Sequence, residues 1–182
     1  TQQAQLVAGD GGAYDEFGQS VALSGDTALV GAAYHDVGAH SDQGCAYVFV
    51  RSGESWSLQQ QLAAADGATQ DWFGCSVAVE GDTALIGVMR DYIGASYRQG
   101  SARMFMRSGT TWTEQQTLTG SDCRAADYFG SSVALSGDTA LVGAPDHQVG
   151  EDPGRGAAYV FVRSGSAWTE QQGLAPTEEI VG

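Results

Sequence analysis

The chain has 182 residues and a formal charge of −14, from 22 acidic residues against 8 basic ones, all of them arginine. That balance excludes nucleic acid as a partner, because phosphate binding needs a clustered positive surface, and no apolar run approaches the ~20 residues of a membrane-spanning helix. With 26 glycines, 3 prolines and short apolar runs broken by Gly, Asp and Ser, the composition points to an all-β protein.

Self-similarity decides the organisation. Phe17-Gly18 recurs as Phe73-Gly74 and Phe129-Gly130, and Trp56 recurs as Trp112 and Trp168, at a constant spacing of 56. Gly25-Asp26, Gly81-Asp82 and Gly137-Asp138 keep the same register without a gap.

In chain order, residues 1–16 read as an extra copy of an outer strand (2–8) followed by a connecting loop. The first full copy, 17–72, then holds four predicted strands. FGQSVALS (17–24) is small and apolar on both faces, as befits a strand sandwiched between neighbouring sheets. A Gly-Asp turn, tolerant of positive φ, reverses the chain into TALVGAA (27–33). After a longer loop come CAYVFVR (45–51), a Ser-Gly turn and WSLQQQLA (56–63), which is the most polar strand and so belongs outside. The copies at 73–128 and 129–182 repeat this plan. Four antiparallel strands of graded polarity per repeat, without helices, predict β-propeller blades.

The strings FGQSVALSGDTALVGAA, FGCSVAVEGDTALIGVM and FGSSVALSGDTALVGAP resemble FG-GAP repeats, the units of the integrin alpha propeller and of many extracellular proteins. The resemblance implies a propeller in a secreted or cell-surface adhesive protein that binds a protein or glycan ligand, without catalysis of its own. An accessory propeller of a secreted enzyme is the alternative, and a self-assembling surface component a third. Closed propellers use about 4–8 blades, so three blades predict an open arc, either a segment of a larger propeller or a unit that a homo-oligomer completes. The start at Thr1 without Met predicts a processed chain or a segment of a longer one.

Candidate chemistry is sparse. Family members place a calcium loop between the first two strands of a blade, but here that interval is a short Gly-Asp turn with one carboxylate, too few oxygens for calcium. The pairs Asp10/Asp15, Asp66/Asp71 and Asp122/Asp127 stand before each Phe-Gly. They read either as calcium ligands or as Asx turns that order the blade crossings. No cofactor other than calcium is suggested.

The loops 34–44, 90–100 and 146–156 keep glycines at both ends and vary inside, which marks them as the ligand-contact rim. Their candidate contacts are His35, Asp36, Asp42, Asp91, Tyr92, Tyr97, Asp146, His147 and Asp152. The series His35, Asp91, His147 holds transition-metal ligand types, yet on successive blades they stand too far apart for one ion with bonds near 2 Å, so solvated loop residues are the expectation. The Trp ladder reads as a packing anchor or a sugar platform. Cys45, Cys75 and Cys123 fall at three different positions of the repeat, so there is no disulfide framework of one bridge per blade. No nucleophile elbow, zinc-protease helix or phosphate loop is present, and no enzyme is expected.

Overall fold

A computed structural model describes residues 3–176. It contains three four-stranded antiparallel sheets in strict succession, β1-β2-β3-β4, β5-β6-β7-β8 and β9-β10-β11-β12. The first comprises β1 (Ser20–Ser24), β2 (Thr27–Ala32), β3 (Cys45–Ser52) and β4 (Ser55–Leu62). The second comprises β5 (Phe73–Glu80), β6 (Thr83–Val88), β7 (Ser101–Ser108) and β8 (Thr111–Leu118). The third comprises β9 (Ser132–Ser136), β10 (Thr139–Ala144), β11 (Ala157–Ser164) and β12 (Ala167–Leu174). No helix occurs among the described residues, so none is long and apolar enough to cross a membrane. The sheets are propeller-like blades that do not close into a ring.

Two expectations are corrected. Residues 3–8 form no strand; Leu6 and Ala8 instead pack onto the open face of blade 1, beside Ala28, Val30 and Tyr47. The segment copies an outer strand in sequence, but the partner such a strand needs is absent from the described residues. The first strand begins at Ser20 rather than Phe17; before it, Gly18 takes a φ of +95° and the Gln19 amide closes a turn onto the Glu16 carbonyl. In the middle blade Phe73 does pair, with Val88, across a bulge before Val77.

The cores lie between the blades. Leu29, Ala46, Val48 and Leu62 of blade 1 meet Phe73, Val77, Val79, Ile86 and Trp112 of blade 2. Leu85, Met104 and Leu118 of blade 2 meet Phe129, Val142, Tyr159 and Trp168 of blade 3. Successive positions along a strand therefore face alternately one neighbour and the other, which is why the strands are apolar on both faces.

At the inner edge the joint is glycine against glycine. A Cβ on Gly31 would overlap the Gly74 carbonyl oxygen, and one on Gly87 would overlap that of Gly130. Ser20 and Ser76 donate their hydroxyls to those same carbonyls, each at 2.7 Å. The Gly of Phe-Gly and the Gly of the second strand are thus the two halves of one contact. At the outer edge a side-chain amide joins the blades. Gln60 accepts from the Trp112 amide at 2.8 Å and donates to its carbonyl at 2.9 Å, and Gln116 holds Trp168 in the same way. Gln59, the extra residue of the bulge between Val48 and Phe49, accepts from Trp112 Nε1 at 2.9 Å. Trp112 and Trp168 are buried anchors, as are Phe73 and Phe129. Phe17 and Trp56 are only half-buried because blade 1 has no preceding blade in this structure.

Candidate functional site

Where the chain crosses into each blade, a cluster of polar side chains forms beneath the variable loop. In blade 1 the His35 Nδ1–H donates to Asp15 at 2.7 Å, and Tyr47 donates its hydroxyl to Asp10 at 2.8 Å. Asp15 also accepts the Gly12 amide at 2.7 Å. Burial opposes ionisation of Asp15, yet the His35 and Gly12 hydrogen bonds hold its carboxyl below the ordinary range. Gln61 fills the remaining space, its amide nitrogen 3.2 Å from His35 Nε2 and 3.1 Å from the Tyr47 hydroxyl.

Blade 3 repeats the design. His147 Nδ1–H donates to Asp127 at 2.8 Å, Asp127 accepts the Arg124 amide at 2.7 Å, and Tyr159 donates to Asp122 at 2.6 Å. Burial raises both tyrosine hydroxyls far above their usual pKa, and the adjoining Cys45 and Asp10, or Asp122 and Cys123, add to the shift.

Blade 2 reaches charge balance differently. Arg103 replaces the tyrosine and Asp91 the histidine, and the guanidinium binds Asp91 at 2.7 Å, Asp66 at 2.9 Å and Glu114 at 3.0 Å. Burial works against the Arg103 charge, but Asp91 and Glu114 more than restore it. Asp71 keeps the turn contact, accepting the Ala68 amide at 2.6 Å through Oδ2, but it accepts no ring N–H, and its other oxygen, Oδ1, is buried without a partner. Burial pushes its carboxyl up to about 6, and the neighbouring Asp91 adds to this.

The six aspartates therefore divide by position. Asp15, Asp71 and Asp127 each close an Asx-type turn on the amide three residues earlier, and Asp10, Asp66 and Asp122 face the tyrosine or arginine of their own blade. The single carboxylate of each Gly-Asp turn, Asp26, Asp82 or Asp138, is paired with Arg51, Arg107 or Arg163 at 2.7 Å. The family's calcium loop does not fit these turns, since six to eight oxygens are required. Those arginines also lie over Trp56, Trp112 and Trp168, 5.1–5.6 Å from the ring centroids.

The loop candidates separate into two groups. His35, Asp91 and His147, expected in solvent, are buried, because each turns back to meet the cluster of its own blade. Asp36 accepts the Asp42 amide at 2.9 Å, and Asp152 pairs with Arg155 at 3.4 Å. Asp146 is exposed. Tyr92 and Tyr97 project outward, 52% and 43% exposed, with rings 5.2 Å apart edge to face and Arg98 over Tyr97 at 4.6 Å. Tyr47, Tyr159, Arg103 and Gln61 were not singled out from the sequence; their common register across the repeats was the available signal. All three cysteines are free, and burial raises each thiol to about 11.

Among solved structures, the chain is similar to the crystal structure of Saccharomyces cerevisiae Sqt1, with a TM-score of 0.54 and 10% identity over 88% of this chain and 36% of that one. That likeness concerns the fold alone, and the chain spans about a third of the length of the protein it matches. No curated protein matches the sequence. The model of the FG-GAP repeat matches three times, over residues 1–49, 56–105 and 112–161, each match one blade's length after the last. Together with the three blades and the glycine joints that the repeat's two motifs form, these matches place the chain in the FG-GAP repeat family.

Proposed function

We propose that this FG-GAP module is a non-catalytic extracellular binding element that contacts a protein or glycan through its variable loops. The observation that carries the reading is the contrast within those loops. Their frame is constant, with a two-residue reversal closed by Val37–His40, Ile93–Ser96 or Val149–Asp152 pairing, and with the second loop residue, His35, Asp91 or His147, buried. Their outward positions differ from blade to blade, and blade 2 presents the Tyr92–Tyr97–Arg98 stack. Exposed tyrosine and arginine on a rigid frame are the side chains that dominate recognition, since they bury large area at low entropic cost.

The test is binding of the chain to arrayed glycans and extracellular protein domains, compared with Tyr92→Ala/Tyr97→Ala. A hit whose affinity falls at least tenfold in the double variant supports the reading. A hit that the variant leaves unchanged, or no hit at all, overturns it.

A second reading, assembly through the open blade faces, is favoured by one specific comparison. Val21 and Leu23 on blade 1 are 69% and 67% exposed, whereas their counterparts Val77 and Val79 in blade 2 are each 9% exposed. On the far side of blade 3, Ser132 and Gln172 stand in the register from which Ser76 and Gln116 grip the next blade. The occupant these faces fit is another blade of the same kind, supplied by a second copy of the chain.

A further inference from the structure

We infer that blade 3 carries a site for one divalent transition-metal ion of the zinc type, formed by Asp122, Cys123 and His147. One ligand atom from each lies within 4.8 Å of the other two, and Asp122 Oδ2 stands 3.7 Å from His147 Nε2. Ligand atoms around a tetrahedral ion with bonds of about 2.0–2.3 Å are separated by about 3.3–3.8 Å, so the cluster needs only a small contraction. A thiol and an imidazole select a transition metal over calcium.

Each ligand is already oriented from behind. Asp127 accepts the His147 Nδ1–H at 2.8 Å, which fixes the tautomer and turns the Nε2 lone pair inward, the arrangement that second-shell carboxylates give metal-binding histidines. Tyr159 occupies Asp122 Oδ1 at 2.6 Å and leaves Oδ2 for the ion. Ser121 donates through its amide and hydroxyl to Glu170, each at 2.8 Å, and so anchors the turn that presents Asp122 and Cys123.

Comparison of the three blades supplies two independent signs. In blade 2 the equivalent space is filled by a cation belonging to the protein, the Arg103 guanidinium bound to Asp66 and Asp91. In blade 1 the equivalent ring nitrogen, His35 Nε2, is covered by the Gln61 amide at 3.2 Å. Blade 3 has neither. Tyr159 stands where Arg103 does, and Gly173 occupies the register of Gln61, opposite the tyrosine in both sheets. His147 is more than nine-tenths buried, yet among the described residues its Nε2 makes no hydrogen bond. Two further changes are confined to this blade and fit each other. Cys123 replaces the Gly of blades 1 and 2, and Gly120 replaces their Ala, where a Cβ would crowd the Cys123 sulfur.

Binding exchanges one proton for one ion. The Cys123 thiol loses its proton to solvent, the thiolate, imidazole and carboxylate bond to the metal, and no redox change occurs. The fourth position faces a shallow solvent recess lined by Arg124, Gln148, Gly150 and Ala175.

The probe is Co2+, whose thiolate-to-metal charge-transfer and tetrahedral d–d bands report ligand type and geometry directly. Titration of the reduced chain is expected to saturate at one equivalent with both bands, and Zn2+ is expected to bleach them. Cys123→Ser and His147→Ala should abolish the bands, while His35→Ala in blade 1 leaves them intact. Gly173→Gln keeps every ligand but rebuilds the amide cover of blade 1, and should weaken binding at least tenfold with an unchanged far-ultraviolet circular dichroism spectrum. No charge-transfer band in the parent chain, bands that survive Cys123→Ser, or a Gly173→Gln variant that binds like the parent would each overturn the site.

Discussion

Asp71 shows how a repeat tolerates a local conflict. Its counterparts Asp15 and Asp127 each accept a histidine ring N–H, but blade 2 has Asp91 at that register and directs its cation, Arg103, to other carboxylates. Asp71 is left with a buried, unpartnered oxygen and a pKa raised from 3.8 to about 6. The folded state therefore holds this proton more tightly than the unfolded chain. Below about pH 3 both states are protonated and the group is neutral to stability. As pH rises from about 4 to 6 the unfolded chain ionises first, so stability falls, and the cost is complete above about pH 6. Asp71→Asn keeps an acceptor for the Ala68 amide and removes that cost. It should stabilise the chain by ~2 kcal/mol at pH 7 and by nearly nothing at about pH 3 in urea denaturation. Equal effects at both pH values would refute the assignment.

At the scale of the element, the joint between blades rests on the absence of a methyl group. Gly87→Ala would drive a Cβ into the Gly130 carbonyl, which is backbone and cannot turn aside, and against the Ser76 hydroxyl bonded to that carbonyl, and should cost about 3 kcal/mol. Gly143 holds the same register on the open face of blade 3, where a Cβ would meet the Ser132 and Ser131 side chains and no backbone. Gly143→Ala should cost below about 1 kcal/mol in the same denaturation assay. Comparable losses at the two glycines would mean that the inter-blade contact is not what the residue serves. The strands themselves were legible, because Gly-Asp and Ser-Gly turns separate them and the 56-residue period repeats the plan, although the first strands of blades 1 and 3 start at Ser20 and Ser132 rather than at Phe-Gly. Residues 3–8 carry the pattern of an outer strand, but among the described residues no strand stands beside them to pair with. The polar clusters were hidden for another reason. Asp10, His35, Tyr47 and Gln61 are scattered over fifty residues, and no spacing rule joins them. The compensating exchange of His35 and Tyr47 for Asp91 and Arg103 could have exposed them, since one charge balance replaces another at fixed register. Cys123 and Gly120 form a similar matched pair, readable only once the fold shows their contact.

At the scale of the molecule, the blades end in two unlike faces. One presents Val21 and Leu23 with Gly18 and Trp56, and the other Ser132, Leu141 and Gln172. Contact between them is heterologous, so copies of the chain would join head to tail. The charge of −14 opposes such contact at low ionic strength. Light scattering is therefore expected to give a mass that grows with protein concentration and with added salt, and Leu23→Asp should return it to that of a single chain. A constant monomer mass under all conditions would remove the assembly reading and leave loop recognition as the module's only proposed contact. One further property follows from the joints. The inner strands meet backbone to backbone at glycine, whereas the outer strands are held apart by the length of a glutamine side chain. A narrow gap on one side and a wide gap on the other define a wedge angle, and a wedge angle fixes how many units complete a full turn. The angle between neighbouring blades is thus set by the glycines at Gly31 and Gly87 and by the reach of Gln60 and Gln116, rather than by any loop.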